Sequence, residues 1–586
     1  NMTKQPIVFD IETDGFNPTV VHCLVIHKDG KTIPFVGKEI PKGIEQLADN
    51  IIVGHNALKF DLPVLSRLYG YQHNPELVHD TLTLSRLIYP DLANSVDAKL
   101  SARGLLDKSF WGKHSLKAWG MRLQVLKGDF AETNDFKTFS PEMLTYCIQD
   151  VKITKLLYDK LIAKGFSQES IDLEHKVSTI TQVQEVKGFG FDEEKAQDLH
   201  AKLSARSNVL TIELEKAFGE WEVDLGDFIP KVNNKTRGYI KGVPVKKSKT
   251  VKFNPSSRQH IANRLMKLYN WKPKTFTETK LPIVDEEVLS SLDYPETKLL
   301  SEYLIIEKRL GLLSDGKNAW LKVVKNGRIH TNYTTNIVSG RMSSSRPNLQ
   351  QVPNLFSPYG KECRELFIPS KGYTLVGCDA TGLEAYCLAH YIINYEGGKE
   401  YVEILLNGDV HTYNQKKMGL PTRDMAKTVL YASLYGASFK RISEICNVNL
   451  TEGKKILDSF YRNLPFLKLL KEDLIGILET RGFIRGIDKR ILTTRSNHSL
   501  INFLCQSCGG IVMKQALVIL WEAIKDMDAF VVANIHDEYQ IEVRPEIADE
   551  VGAIAVESIR KAGEFFKLRV PLKAEYRVGK NWSETH

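Results

Sequence analysis

The chain has 586 residues, 42% hydrophobic and 26% charged, with a net charge of +8. That length is too great for one hydrophobic core, so two to four domains of ordinary globular composition are expected. No run of about 18 or more apolar residues occurs, which predicts no membrane span. The opening "NMTKQPIVFDIETDG" enters a strand without a charged and then apolar leader, so a cytoplasmic location is expected.

Residues 1–165 alternate strand-like runs ("PIVFDIET", "HCLVIHK", "NIIVGHN") with helical patterns ("LPVLSRLYG", "TLTLSRLIYP"), which is α/β character. Here "IVFDIETDG" sets Asp10 and Glu12 two apart on a strand, so both point to one face. "VGHNALKFDLP" supplies Asp61, and "YCIQD" supplies Tyr146 and Asp150 one helical turn apart. Four carboxylates from three segments, plus a tyrosine, suit two-metal hydrolysis in which the phenol orients the attacking water.

Residues 166–326 turn helical, but 231–252 interrupts them with eight Lys/Arg and no Asp or Glu. The segment holds little to build a core from and reads as an exposed loop or hairpin. A single-sign cluster repels itself, which favours a polyanion partner and a role in tracking phosphates. "FNPSSRQHI" then restarts a helix behind a Pro-Ser-Ser signal.

Strands return from about 327. "LVGCDATGLEAYCLAH" puts Asp379 at a strand end, with a helix beginning near Gly382. After a helical block, "VVANIHDEYQIEVRP" reads as a hairpin whose middle is His536-Asp537-Glu538. Adjacent carboxylates repel, and burying either is costly without a cation. If Asp379 faces Asp537 across a sheet, the pair makes a seat for two hard divalent cations. In "LPTRDMAKTVLYASLYGAS", Arg423, Lys427, Tyr431 and Tyr435 recur every four residues along one side of a helix. The two cations can hold a triphosphate, and the rings that follow can stack on a base.

The eight cysteines include one CxxC (Cys505 and Cys508) but no second pair at zinc-site spacing, so reduced thiols are expected. No Gly-x4-Gly-Lys-Ser/Thr loop occurs, which weighs against a helicase or ordinary ATPase.

This constellation resembles the family A DNA polymerases, the DNA polymerase I group. "DATGLEA" looks like their first catalytic segment, "RDMAKTVLYASLYG" like the fingers helix and "HDE" like the second catalytic segment. "SGRMSSSRPNLQQVP" and "NFLCQSCGG" match further palm segments. "GDVHTYNQ", "SPYGKECR" and "FNPSSRQHI" carry a closer likeness to the replicative polymerases of T-seven-like short-tailed bacteriophages. The amino-terminal acids resemble DEDD-type 3′–5′ exonucleases with a tyrosine in the last motif.

The resemblance implies a multidomain α/β and α+β fold: a ribonuclease H-like exonuclease domain (1–165) followed by a right-hand polymerase. Its thumb would span 166–326, its palm 327–390 and 501–586, and its fingers 391–500. Magnesium is the implied cofactor, two ions at each active site. Asp379 and Asp537 would hold the pair at the polymerase site, with Glu538 in support. Asp10, Glu12, Asp61 and Asp150, with Tyr146, would form the exonuclease site. Arg423, Lys427 and His411 would grip the incoming triphosphate, and Lys427 would protonate pyrophosphate. Tyr431 would stack near the new sugar and base, and Glu384 would exclude ribonucleotides. Arg341, Gln506, His536 and Asn502 would contact the primer-template, and Tyr435 would guard the templating base. The ending "VGKNWSETH" resembles the phage ending, which would bring His586 to the active site.

Primer-template DNA and deoxynucleoside triphosphates are the implied partners of a monomer, with a replisome helicase-primase or a processivity factor beyond them. The phage relative binds thioredoxin through a long thumb insertion. The stretch between "AFGEW" and "FNPSS" is much shorter here, which weakens that expectation. A single-subunit RNA polymerase shares the two-aspartate core but is disfavoured by Glu384 with Tyr431 and by the exonuclease set. A glycosidase also pairs carboxylates but has no use for the Arg/Lys/Tyr stripe.

Overall fold

The computed structural model describes residues 4–125, 129–494 and 496–586. They fall into two compact units. One comprises Asn1–Phe189, His330–Gln351 and Pro369–His586; the other comprises Gly190–Ile329 and Val352–Ile368.

The first unit begins with a mixed five-stranded sheet. Its strands are β1 (Ile7–Thr13), β2 (Val21–Lys28), β3 (Lys31–Val36), β4 (Ile52–Gly54) and β5 (Val78–Asp80), in the order β3-β2-β1-β4-β5. The pairings β3-β2 and β2-β1 are antiparallel, whereas β1-β4 and β4-β5 are parallel. Central β1 is covered on both faces, which is why it reads as apolar except where Asp10 and Glu12 interrupt it. The Pro141–Ile162 helix packs on β1 and β2. Ser140 caps it by accepting from the Met143 amide, and Pro141 supplies a fixed first φ.

The same unit holds a second, antiparallel sheet of four strands in the order Ala529–Ile535, Glu538–Val543, Thr374–Ala380, Ala574–Gly579. The predicted hairpin is therefore present, with His536-Asp537 as its two-residue tip and His536 at φ 53. The Ala548–Phe565 and Leu500–Ile524 helices pack together behind this sheet. The short terminal helix Trp582–Thr585 packs on the Thr374–Ala380 strand. Gly377 makes that approach feasible, since a Cβ there would lie 2.1 Å from the Thr585 carbonyl oxygen.

By length and composition, the Leu500–Ile524 helix is apolar enough to cross a membrane, although no uninterrupted apolar run marks it. Gln506, Ser507 and Lys514 break the run, while the average stays high. Of its most apolar window, 67% is buried inside the protein, the signature of a core helix.

A buried polar knot ties this helix to the rest of the unit. Glu174 accepts from Lys514 Nζ at 2.6 Å and pairs with Arg490 Nη1 at 2.7 Å. Arg490 also pairs with Asp488 at 2.7 Å, and Asn336 Oδ1 accepts from both Arg490 (3.0 Å) and Lys514 (3.2 Å). Two acids thus balance two bases out of water. Glu174→Gln leaves an uncompensated buried cation and is expected to cost about 3–5 kcal/mol. A urea unfolding midpoint equal to that of the parent chain would refute this.

In the second unit, Asp192 caps the long helix Glu193–Phe218, and a hairpin follows, formed by Glu220–Phe228 and Val245–Lys252. The basic segment is exposed, as its composition predicts. Its strand lies opposite acids, however: Glu220 pairs in register with Lys252, and Asp227 with Lys246. Lys252 also reaches Glu215 at 3.2 Å. Part of the like-charge repulsion inferred from 231–252 alone is therefore relieved by the facing strand.

Candidate active site

Register brings the second sheet's acids together. Asp379 lies directly opposite Glu538, and the Ala380 amide donates to the Asp537 carbonyl at 3.0 Å. Two carboxylates distant in sequence thus meet at one strand end. Burial pushes the Asp537 carboxyl above its ordinary range; Glu384 and Asp379 push the same way, and Arg341 and His536 oppose them.

Glu538 is 4% exposed and firmly held. Its Oε2 accepts from Gln540 Nε2 at 2.8 Å and from Trp582 Nε1 at 3.3 Å. The terminal residue completes the group: His586 Nδ1 lies 3.4 Å from Asp379 Oδ2 and 3.1 Å from Glu538 Oε1. These two carboxylates push the imidazole pKa up to about 9. The His586 ring therefore stands against both acids.

Asp537 also faces a cavity of about 590 Å3, whose wall includes Glu384, His411, Arg423, Tyr431, Tyr435 and Asn502. Arg423 and Tyr431 belong to the Arg423–Leu434 helix, which Thr422 caps by accepting from the Met425 amide, and Tyr435 ends it. Tyr431 and Tyr435 are 45% and 52% exposed, which leaves their rings accessible to a stacking partner. The His411 and Tyr431 rings lie 5.9 Å apart. Burial lowers the His411 pKa, Arg423 and Lys427 lower it further, and Asp409 opposes them. Lys427 is exposed on the same helix but outside the cavity lining. Asp409 was not anticipated. It lines the cavity and pairs with Arg423, and its place as an acid directly before a helix start in "GDVHTYNQ" was the available signal.

A smaller recess on the other side of Asp537 includes Arg341, His536, Gln350 and Lys514. Arg341 bonds Glu384 at 3.1 Å, joining two residues given separate roles by sequence. Gln506 is half-buried one turn beyond Asn502 and lines neither space.

The amino-terminal acids form a second cluster. Asp10, Glu12 and Cys147 offer ligand atoms within 4.8 Å of one another. The Cys147 thiol donates to Asp10 Oδ2 at 3.4 Å, a contact sequence reasoning missed although Cys147 sits in "YCIQD". Asp61 opens the Asp61–Tyr69 helix, and its carboxylate accepts from the Ile11 amide on β1 at 3.3 Å. Burial pushes Asp61 up to about 7; Asp80 and Asp150 add to this, and the Ile11 bond opposes it. Tyr146 and Asp150 are buried one turn apart on the Pro141–Ile162 helix. Asp80 plays a structural part, accepting from the Asn56 (2.8 Å) and Leu58 (3.0 Å) amides and so fixing the turn before Asp61.

Both clusters suit hard divalent cations, because ligand atoms that include carboxylate oxygens converge in a partly buried setting. The chain is 34% identical to a DNA-directed DNA polymerase of Enterobacteria phage T3 over 99% of its length and 100% of the relative's. It is 33% identical to that of Escherichia phage T7 with the same coverage. Its fold matches the POL domain of Pol1 from M. smegmatis, solved with DNA primer-template and dNTP, with a TM-score of 0.74 at 18% identity, covering 100% of this chain and 96% of that one. The sequence pattern of DNA polymerase family A matches residues 232–584, and the chain belongs to that family.

Proposed function

We propose that the chain is a phage-type replicative polymerase that copies a DNA template from deoxynucleoside triphosphates and edits primer ends with a 3′–5′ exonuclease. It would work in the cytoplasm of an infected bacterium. The observation that carries the synthetic part is the meeting of Asp379 with the Asp537-Glu538 tip beside a cavity walled by Arg423, His411, Tyr431 and Glu384. The editing part rests on the Asp10, Glu12, Asp61 and Asp150 carboxylates, positioned by a sheet whose mixed order suits a ribonuclease H-like domain.

We assign 1–165 to the exonuclease, 166–326 to the thumb with its basic loop 231–252, 327–390 and 501–586 to the palm, and 391–500 to the fingers. Asp379 and Asp537 would hold two magnesium ions, which when bound lower the pKa of the primer 3′-hydroxyl and neutralise pyrophosphate. Asp10, Glu12, Asp61 and Asp150 would hold the other pair.

The remaining steps belong to side chains. Arg423 and His411 orient the triphosphate, while Lys427, on the same helix face, adds charge and protonates the departing pyrophosphate. Tyr431 presents its ring to the new sugar and base. Glu384, fixed by Arg341, crowds the 2′ position. Arg341, His536, Asn502 and Gln506 track the primer-template end, and Tyr435 covers the templating base. Glu538, held by Gln540 and Trp582, stiffens the hairpin tip. At the second site, Tyr146 orients the attacking water.

Primer extension tests this reading. Extension is expected with deoxynucleotides, not with an all-ribonucleotide set, and is expected to stop when magnesium is omitted. Equal use of both sugars would favour the RNA polymerase alternative.

A further inference from the structure

Asp409 is an anion on the wall of a cavity whose cations are read here as a triphosphate grip. A fixed negative charge there opposes the ligand, so its presence needs a physical reason.

Local structure explains only part of it. Asp409 caps the Val410–Met418 helix, accepting from the Thr412 amide at 3.1 Å and the Thr412 hydroxyl at 2.7 Å. Asn would cap as well, so the cap does not call for charge. The second partner does. Arg423 Nε donates to both Asp409 oxygens, at 3.2 and 3.0 Å. That pair joins the amino-terminal ends of two helices, Val410–Met418 and Arg423–Leu434, where backbone dipoles also favour an anion. The two side chains are 48% and 49% exposed, so the pair is solvated and readily exchanged.

We propose that Asp409 is a placeholder for the triphosphate. It holds Arg423 at the cavity wall while no nucleotide is bound, and yields the guanidinium to the incoming phosphates. It then reclaims the guanidinium as pyrophosphate leaves. The inference rests on the triphosphate reading of the cavity. Its mark is the sign of the effect: removing a competitor tightens phosphate binding, whereas removing a mere support loosens it.

Asp409→Asn keeps the cap and removes the charge. The KM for deoxynucleotide and the inhibition constant for pyrophosphate are both expected to fall, by about two- to fivefold, the range a solvated ion pair allows. The turnover number should fall wherever pyrophosphate release is slow. Arg423→Ala, measured alongside, separates the two levels of the argument. If Arg423→Ala raises KM while Asp409→Asn leaves both constants unchanged or higher, the grip stands and the placeholder is overturned. If Arg423→Ala leaves KM unmoved, the triphosphate reading fails and takes the placeholder with it.

Discussion

Asp537→Asn is expected to lower DNA synthesis by about three orders of magnitude or more while primer ends are still degraded at the parent rate. The substitution preserves shape. The Ala380 amide bonds the Asp537 backbone carbonyl, which the amide side chain leaves intact, so the hairpin tip should hold its position. What disappears is a negative oxygen donor at the point where the cavity, the smaller recess and the Asp379 strand end converge. Single-turnover extension and end-degradation assays on one preparation, with thermal midpoints as the folding control, read this directly. Synthesis within tenfold of the parent would remove Asp537 from the chemistry.

What the sequence disclosed here followed helical period and local context. Arg423, Lys427 and Tyr431 were legible because a four-residue spacing marks a helix face whatever surrounds it. The Thr374–Ala380 strand and the hairpin were legible from alternating and β-branched runs. Register was not legible. That Asp379 lies opposite Glu538, with Asp537 at the tip, depends on pairing between segments far apart in the chain, which no local pattern encodes. The Asp409–Arg423 pair and the Arg341–Glu384 bond were hidden for the same reason. His586 was suggested only by the likeness of the chain's ending, and its placement depends on Gly377 admitting the Thr585 backbone. In the basic loop, the counter-charges opposite Lys246 and Lys252 sit on the facing strand, which the segment read by itself does not disclose.

The second large effect is the mirror of the first. Asp10→Ala combined with Glu12→Ala is expected to reduce excision of primer ends by about a thousandfold or more and to leave synthesis within about twofold. Both side chains leave the same face of β1, where carboxylate oxygens converge with the Cys147 thiol. Removing them takes away half of the acid set but no packing that the sheet depends on, since β1 keeps Ile7, Phe9 and Ile11 in the core. Asp61 would remain bonded to the Ile11 amide and Asp150 would remain on its helix, so the residual site is two carboxylates too weakly charged to retain cations. Because both acid clusters belong to one compact unit, undiminished synthesis in the double variant is its own evidence of correct folding. Excision that persists would move the nuclease elsewhere. Loss of both activities with an unchanged thermal midpoint would show that the amino-terminal carboxylates serve synthesis too, and the division of labour between the two sites would fall.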